Sequence, residues 1–267
     1  MLHKNLLISL KTAKNIFIDI IINHLNKMRY SINNHTGSSR EISLIYEYSD
    51  CSSPNQKLCD LISDIYKEYN KFDETFESPK IYSKIPSEKI WDSYFPRKIG
   101  EHYRLIPLII NLINASQVIE IGTFRGASAK SILKNTSAKL HTFDIQSWDK
   151  FNGTYLNNDD FKNNLLKQTI SDLSLEKEFK KFSEELLETD FIFIDGPKNY
   201  NFEKTFLSRL FKLYSRHRKK EIFILMDDVK LSTMAKIWQS INHPKCILDM
   251  VGHWSGSGLI YIPKKTK

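Results

Sequence analysis

Residues 117–133, Q-V-I-E-I-G-T-F-R-G-A-S-A-K-S-I-L, constrain this chain more than any other stretch. The run 118–121 is apolar and β-branched apart from Glu120, long enough for a buried strand and too short for a helix. Gly122 and Gly126 bracket a tight turn, and residues 127–133 then read as the first turns of a helix. Strand, glycine turn and helix N-terminus in succession let backbone N–H groups approach a ligand with no Cβ in the way. Glu120 adds a fixed acceptor at the strand's carboxyl end. The G-x-x-x-G spacing is neither the dinucleotide G-x-G-x-x-G nor a P-loop, since no G-K-[ST] follows.

A second strand is expected over 139–144, ending in Asp144. That acid falls roughly 20 residues past the first glycine, where α/β nucleotide-binding folds place the group that holds a ribose diol. A carboxylate suits a diol because it accepts two hydrogen bonds at once; the alternative is an ordinary strand-end turn residue. Residues 145–158 form a polar and aromatic loop of the kind that serves as a lid at the carboxyl ends of strands. A helix is expected over 159–173, and the third strand over 178–183.

The clearest strand is 189–195, T-D-F-I-F-I-D, continuing into G-P-K-N-Y. Residues 202–215 read as an amphipathic helix, followed by the basic run 216–220, which suits a solvated helix C-terminus. Residues 221–226 are another buried strand, closed by Asp227 and Asp228. Asp195, Asp227 and Asp228 at two strand ends offer the oxygen ligands of a hard cation such as Mg²⁺. Turn or helix-capping roles are the alternative. A helix over 232–241 and two strands, 245–251 and 258–262, complete the chain, with His253 a loop histidine between them.

Ahead of the central strand, residues 6–30 read as an amphipathic helix ringed by Lys4, Lys11, Lys14, Lys27 and Arg29. Such a helix packs on the domain or on a second subunit; a peripheral membrane contact is the alternative. Its apolar run, 15–25, is interrupted by Asp19, Asn23 and His24 and is too short and too polar to span a bilayer. Residues 31–40 form a polar linker, 56–70 a helix, and 100–114 a helix with a broad apolar face. His102, Tyr103 and Arg104 on that last helix face either the site or its packing. Cys51, Cys59 and Cys246 lack C-x-x-C spacing, so neither a disulfide framework nor a zinc site is implied, and a reducing cytoplasm is the expected location. The net charge of +8 admits nucleic acid, but the basic residues are dispersed and no nucleic-acid-binding module is visible, so a nucleic-acid partner is not expected.

The motif E-I-G-T-F-R-G-A-S-A resembles the first motif of class I S-adenosylmethionine-dependent methyltransferases, and most nearly the catechol and caffeoyl-CoA O-methyltransferase group, with its E-I-G-x-x-x-G-x-S. That group's D-F-I-F-V-D strand, followed by a lysine at a three-residue offset, matches residues 190–195 and Lys198. The connection H-W-S-G-S-G at 253–258 resembles bacterial sugar and surface-polysaccharide methyltransferase-like proteins. One departure is that residues 218–221, R-K-K-E, stand where the group has a glycine pair. The resemblance covers about residues 95–262. It implies a Rossmann-like, doubly wound, mostly parallel seven-stranded α/β sheet with a C-terminal antiparallel hairpin over 96–267, and a helical extension over 1–95. It also implies S-adenosylmethionine on Glu120, Gly122, Thr123, Gly126, Ser128, Asp144 and Asp195. Lys198 and Asp195 would be catalytic, and Mg²⁺ would lie on Asp195, Asp227 and Asp228. The implied activity is O-methylation of a small hydroxylated acceptor such as a sugar. A nucleic-acid methyltransferase, or a non-catalytic or hydroxylase-like relative, is the alternative.

Overall fold

A computed structural model describes residues 55–75, 102–217, 220–248, 251–252 and 255–264. The helix expected over 6–30, the linker 31–40 and His253 lie outside these residues. In chain order the elements are α1 (Gln56–Thr75), α2 (His102–Leu112), β1 (Gln117–Ile121), α3 (Ala127–Asn135), β2 (Lys139–Asp144), β3 (Leu166–Ile170), α4 (Glu176–Lys181), α5 (Ser183–Glu188), β4 (Phe191–Ile194), α6 (Asn201–His217), β5 (Ile222–Met226), α7 (Ser232–Ser240), β6 (Lys245–Ile247) and β7 (Gly258–Ile262). Short 3₁₀ turns at Trp148–Lys150 and Asn158–Phe161 interrupt the long β2–β3 connection.

The seven strands pair in the order β3-β2-β1-β4-β5-β7-β6. Pairing is parallel from β3 to β5 and antiparallel at β5–β7 and β7–β6. This is the Rossmann-like sheet with a C-terminal antiparallel hairpin that the resemblance implied. The central strands β4 and β5 are apolar and buried along their whole length, as strands covered on both faces must be. Alternate residues serve opposite cores. Ile119, Ile121, Ile192, Ile194, Ile222 and Ile224 meet Phe206, Leu210 and Trp238 from α6 and α7. Val118, Phe191, Phe193, Phe223 and Leu225 meet Ile65, Ile106 and Ile109 from α1 and α2.

Pro107 lies inside α2, where it removes the N–H that would bond the Tyr103 carbonyl. The Ser131 hydroxyl donates to that carbonyl at 2.5 Å instead, so the proline is tolerated and α2 is fastened to α3. Buried Lys245 donates at 2.6 Å to the carbonyls of Trp238 and Ile241, neutralising the orphan acceptors at the end of α7.

Three local expectations are corrected. The helix expected over 159–173 is a 3₁₀ turn followed by strand β3, because the apolar spacing of Phe161, Leu165, Leu166, Ile170 and Leu173 imitates a helix while Leu166–Ile170 hydrogen-bonds along β2. The third strand expected over 178–183 is helical instead, held by Lys180–Glu176 and Lys181–Glu178 ion pairs, both at 2.6 Å. The strand expected over 245–251 is the three-residue β6.

Candidate cofactor cleft and acidic centre

Because β1 lies between β2 and β4, the chain leaves β1 toward one side of the sheet and later returns to its other side. A crevice therefore opens at the carboxyl ends of these strands. Gly122 begins the turn there with φ +102°, and its N–H donates to the Phe143 carbonyl at 2.8 Å. A Cβ at Gly122 would strike the Asp195 carbonyl, so the turn after β1 and the end of β4 touch backbone to backbone. Gly126, φ +79°, begins α3, and the space a Cβ would need there is filled by Leu156. The β2–β3 connection thus folds back over the turn. Tyr155 N–H donates to the Arg125 carbonyl at 2.9 Å, and Lys130 pairs with Asp160 at 2.5 Å. Ile145, Gln146 and Phe151 of this connection line one wall of the crevice.

The resulting cleft has a volume of about 810 Å³. Gly122, Asp144 and Asp195 line it together with Phe124, Phe151 and Phe202, none of which the sequence singled out. Phe124 and Phe151 meet edge to face with centroids 4.8 Å apart. Asp144 is oriented by two backbone donors, Phe124 N–H to Oδ2 at 2.7 Å and Gln146 N–H to Oδ1 at 3.1 Å. Each oxygen keeps a further lone pair directed away from those donors. Asp172, after β3, lines the same cleft; no signal in the sequence marked it, because the strand before it was read as helix.

The remaining residues assigned to the cofactor lie beneath the turn and do not line this cleft. Glu120 is fully buried and accepts from the Ser128 hydroxyl and, at 2.5 Å, from Thr142 Oγ1. Thr123 continues the chain to Thr142 at 2.7 Å. Burial pushes the Glu120 carboxyl up to about 8; the Ser128 and Thr142 hydroxyls offset this only in part, and Asp195 and Asp144 add to it. An acid whose folded pKa is raised gives a stability contribution that is whole below its unfolded value of about 4.5 and is lost as pH rises through 8. Glu120→Gln, which cannot ionise, is therefore expected to flatten the decline in unfolding temperature between pH 5 and pH 9. The difference in slope approaches roughly 1.4 kcal/mol per pH unit within that window. Parallel slopes for variant and wild type in thermal melts would count against a neutral buried Glu120.

Beyond the cleft, the ends of β4 and β5 form an acidic centre. The Lys198 ammonium pairs with Asp195 Oδ1 and lies 3.2 Å from Asp228 Oδ2 and 4.0 Å from Asp227 Oδ2. Burial alone would lower the lysine's pKa, but the three carboxylates outweigh it and hold the ammonium well above its ordinary range. Asp195 is raised to about 6, by burial first and then by Asp227 and Asp228 against the opposing pull of Lys198. Two side chains hold the backbone of Lys198, which has φ +58°: Lys198 N–H donates to buried Glu203 at 2.7 Å, and Thr233 donates to the Lys198 carbonyl at 3.0 Å.

The three carboxylates named from the sequence thus converge, but with the lysine between them. Among the described residues, the set whose ligand atoms lie within 4.8 Å of one another is His102, Asp195 and Asp227, without Asp228. His102 opens α2 beside Phe193, its ring centroid 6.2 Å from that of the phenylalanine. Tyr103 packs against His102, and Arg104 turns away to Tyr69, donating to its hydroxyl at 2.7 Å.

No family model and no curated protein matches the chain. Among solved structures it is similar to the O-methyltransferase TomG of Streptomyces achromogenes, solved in complex with SAM and involved in tomaymycin synthesis: 14% identity over 76% of this chain and 96% of that one, TM-score 0.48. It is also similar to a Staphylococcus aureus protein provisionally described as a caffeoyl-CoA O-methyltransferase, with 16% identity over 75% and 100% of the two chains and TM-score 0.48. A methyltransferase of Geobacter sulfurreducens shares 14% identity over 65% and 86%, TM-score 0.43. Likenesses this distant leave the activity open, and the fold rests on the chain's own strand order and register. No helix among the described residues is long and apolar enough to cross a membrane.

Proposed function

We propose that residues 96–267 form an S-adenosylmethionine-dependent O-methyltransferase domain, with residues 1–95 a helical extension, acting in the cytoplasm on a small hydroxylated acceptor such as a sugar or glycan. The observation that carries this reading is one crevice with an acid and aromatic rings in its cleft and a half-buried lysine among carboxylates beside it. The cleft fits the cofactor's nucleoside. Phe124, Phe151 and Phe202 offer apolar faces for a base, and Asp144 retains acceptor capacity for a ribose diol. Gly122 keeps the floor of the cleft at backbone height, while Glu120, Thr123, Gly126 and Ser128 fix the turn from below. S-adenosylmethionine, when bound, supplies a methyl group activated by its sulfonium. Asp195 and Lys198 belong to the transfer side of the crevice, where Lys198 would take the acceptor hydroxyl's proton once a cation on Asp195 neutralised that carboxylate.

A divalent cation, Mg²⁺ in the simplest case, fits the acidic centre on charge grounds. Asp195, Asp227 and Asp228 against one ammonium leave negative charge in excess, a repulsion that a cation relieves. Asp195, Asp227 and Asp228 would hold it, and it would supply Lewis acidity toward an acceptor hydroxyl. EDTA is then expected to abolish methyl transfer and leave S-adenosylmethionine affinity intact; transfer that survives chelation would remove the metal.

The helix expected over 6–30 is proposed to pack on the domain or on a second subunit, with the membrane surface as its alternative. Calorimetric titration tests the cofactor itself. Asp144→Ala is expected to weaken S-adenosylmethionine binding by roughly 1–3 kcal/mol, the cost of losing a charged hydrogen-bond partner. Affinity equal to wild type would take Asp144 out of the site, and no binding by wild type would sink the reading.

A further inference from the structure

The acidic centre divides into two halves that share Asp195. On one side the Lys198 ammonium pairs with Asp195 Oδ1 and Asp228 Oδ2. On the other, His102 brings an imidazole nitrogen from α2 within 4.8 Å of ligand oxygens on Asp195 and Asp227. His102 and Asp227 are almost fully enclosed, at 4% and 3% exposure, so polar atoms there meet protein rather than bulk water. Ligands bonded at about 2.0–2.2 Å to one ion stand at most about 4.4 Å apart, and a small side-chain adjustment closes the three around a common point.

We infer that His102 is a nitrogen ligand to the divalent cation of this site, and that the cation is a first-row transition metal in preference to Mg²⁺, with Mn²⁺ as its paramagnetic probe. The chemistry of the donor set carries the preference. Mg²⁺ demands oxygen ligands in near-ideal octahedral geometry and keeps its waters, whereas imidazole with two carboxylates suits the softer first-row dications. Three fixed donors leave further coordination positions for water or an acceptor hydroxyl. The division of labour also accounts for Asp228. It lies with Lys198, not with the His102 group, so His102 takes the ligand place given above to Asp228, and the lysine keeps a carboxylate partner when a metal takes Asp195 and Asp227. Position adds a structural consequence. Because α2 begins at His102, the metal would tie the first turn of that helix to the ends of β4 and β5.

His102 has this role only if the acidic centre is a cation site, the reading proposed above, and the tests separate the two. The full-length protein is titrated with Mn²⁺ and with Mg²⁺ by calorimetry, and the Mn²⁺-loaded wild type is examined by electron spin-echo envelope modulation. Mn²⁺ is expected to bind on the order of tenfold or more tightly than Mg²⁺, with ¹⁴N modulation from a directly bonded imidazole. His102→Ala should erase the modulation and lower Mn²⁺ affinity on the order of tenfold or more, with a smaller change for Mg²⁺. The wild-type spectrum needs no variant to fold. Mn²⁺ that binds without ¹⁴N coupling overturns the role of His102 and leaves the cation reading standing. Equal affinities for the two ions overturn the preference. Absence of binding by either ion overturns both, while calorimetry with S-adenosylmethionine still decides the cofactor reading independently.

Discussion

Lys198→Met is expected to lower kcat for methyl transfer by ~10²–10⁴, the scale for losing a positioned proton-transfer group, while S-adenosylmethionine affinity stays near wild type. The side chain lies among Asp195, Asp227 and Asp228 and is absent from the residues lining the aromatic cleft, so its loss falls on chemistry rather than on cofactor binding. As the centre stands, the carboxylates hold Lys198 protonated. A lysine in that state orients or stabilises an oxyanion; it becomes a base only when a second positive charge on Asp195 cancels the attraction. The variant therefore also reports on the metal. With a cation at Asp195, the wild-type pH–rate profile should show a basic group that disappears in Lys198→Met. Without one, the profile should follow the acid near 6 in the wild type and move to higher pH in Lys198→Met, where the ammonium no longer pulls the Asp195 carboxyl down. Stability changes too, because removing one partner of a buried ionic cluster strands the others, typically at about 3–5 kcal/mol. Asp195 protonates as pH falls through about 6, which relieves part of the repulsion, so the drop in unfolding temperature should be larger at pH 8 than at pH 5. A variant with near-normal kcat, or with an equal stability loss at both pH values, would remove Lys198 from this role.

What was legible in the sequence follows from what each element must bury. β1, β4 and β5 are internal strands, covered on both faces, and their apolar runs announce them; each ends where a glycine or carboxylate breaks the run, so Gly122, Asp195 and Asp227 could be placed at strand ends. β3 is an edge strand with one fully buried residue, Leu166, so its sequence carries no strand signature and its apolar positions imitate a helix. Asp172 was lost with it. Ser131 compensating for Pro107 and Lys245 capping α7 pair groups from different elements, which no local pattern reveals. The acidic centre shows the same limit. Its three aspartates are visible because strand ends bring them together, but the pairing of Asp228 with Lys198 and the approach of His102 depend on how the α6 entry and α2 dock on the sheet. The departure at 218–221 has a physical counterpart as well. Lys220 pairs with Asp190 at 2.7 Å, and Glu221 accepts from Tyr261 at 2.9 Å, so the entrance to β5 is held by side chains from β7 and from the turn before β4.

Gly122→Ala is expected to unfold the cleft locally and to abolish S-adenosylmethionine binding, the second large effect. Two costs act together at this position. A φ of +102° lies in the region that side chains rarely adopt, which by itself costs about 1–3 kcal/mol. The added methyl group also meets the Asp195 carbonyl, a backbone atom fixed by the pairing of Ile121 with Ile194 and by Asp195 N–H donating to the Ile121 carbonyl at 2.8 Å. Neither strand end can yield without breaking that ladder, so relief must come from the turn swinging outward. Such a movement would carry Phe124 N–H away from Asp144, releasing the carboxylate that the cofactor's ribose is proposed to use. It would also shift Asp195 relative to Lys198, so catalytic and binding losses are coupled in this variant, unlike in Lys198→Met. Gly126→Ala is the control. It shares the strain of a positive φ, +79°, but the obstruction is the Leu156 side chain and no backbone atom of a paired strand, so a smaller loss is expected. Calorimetric S-adenosylmethionine titration with thermal melts of both variants tests the ordering. Wild-type affinity in Gly122→Ala would mean that the turn after β1 does not form the floor of the cofactor site.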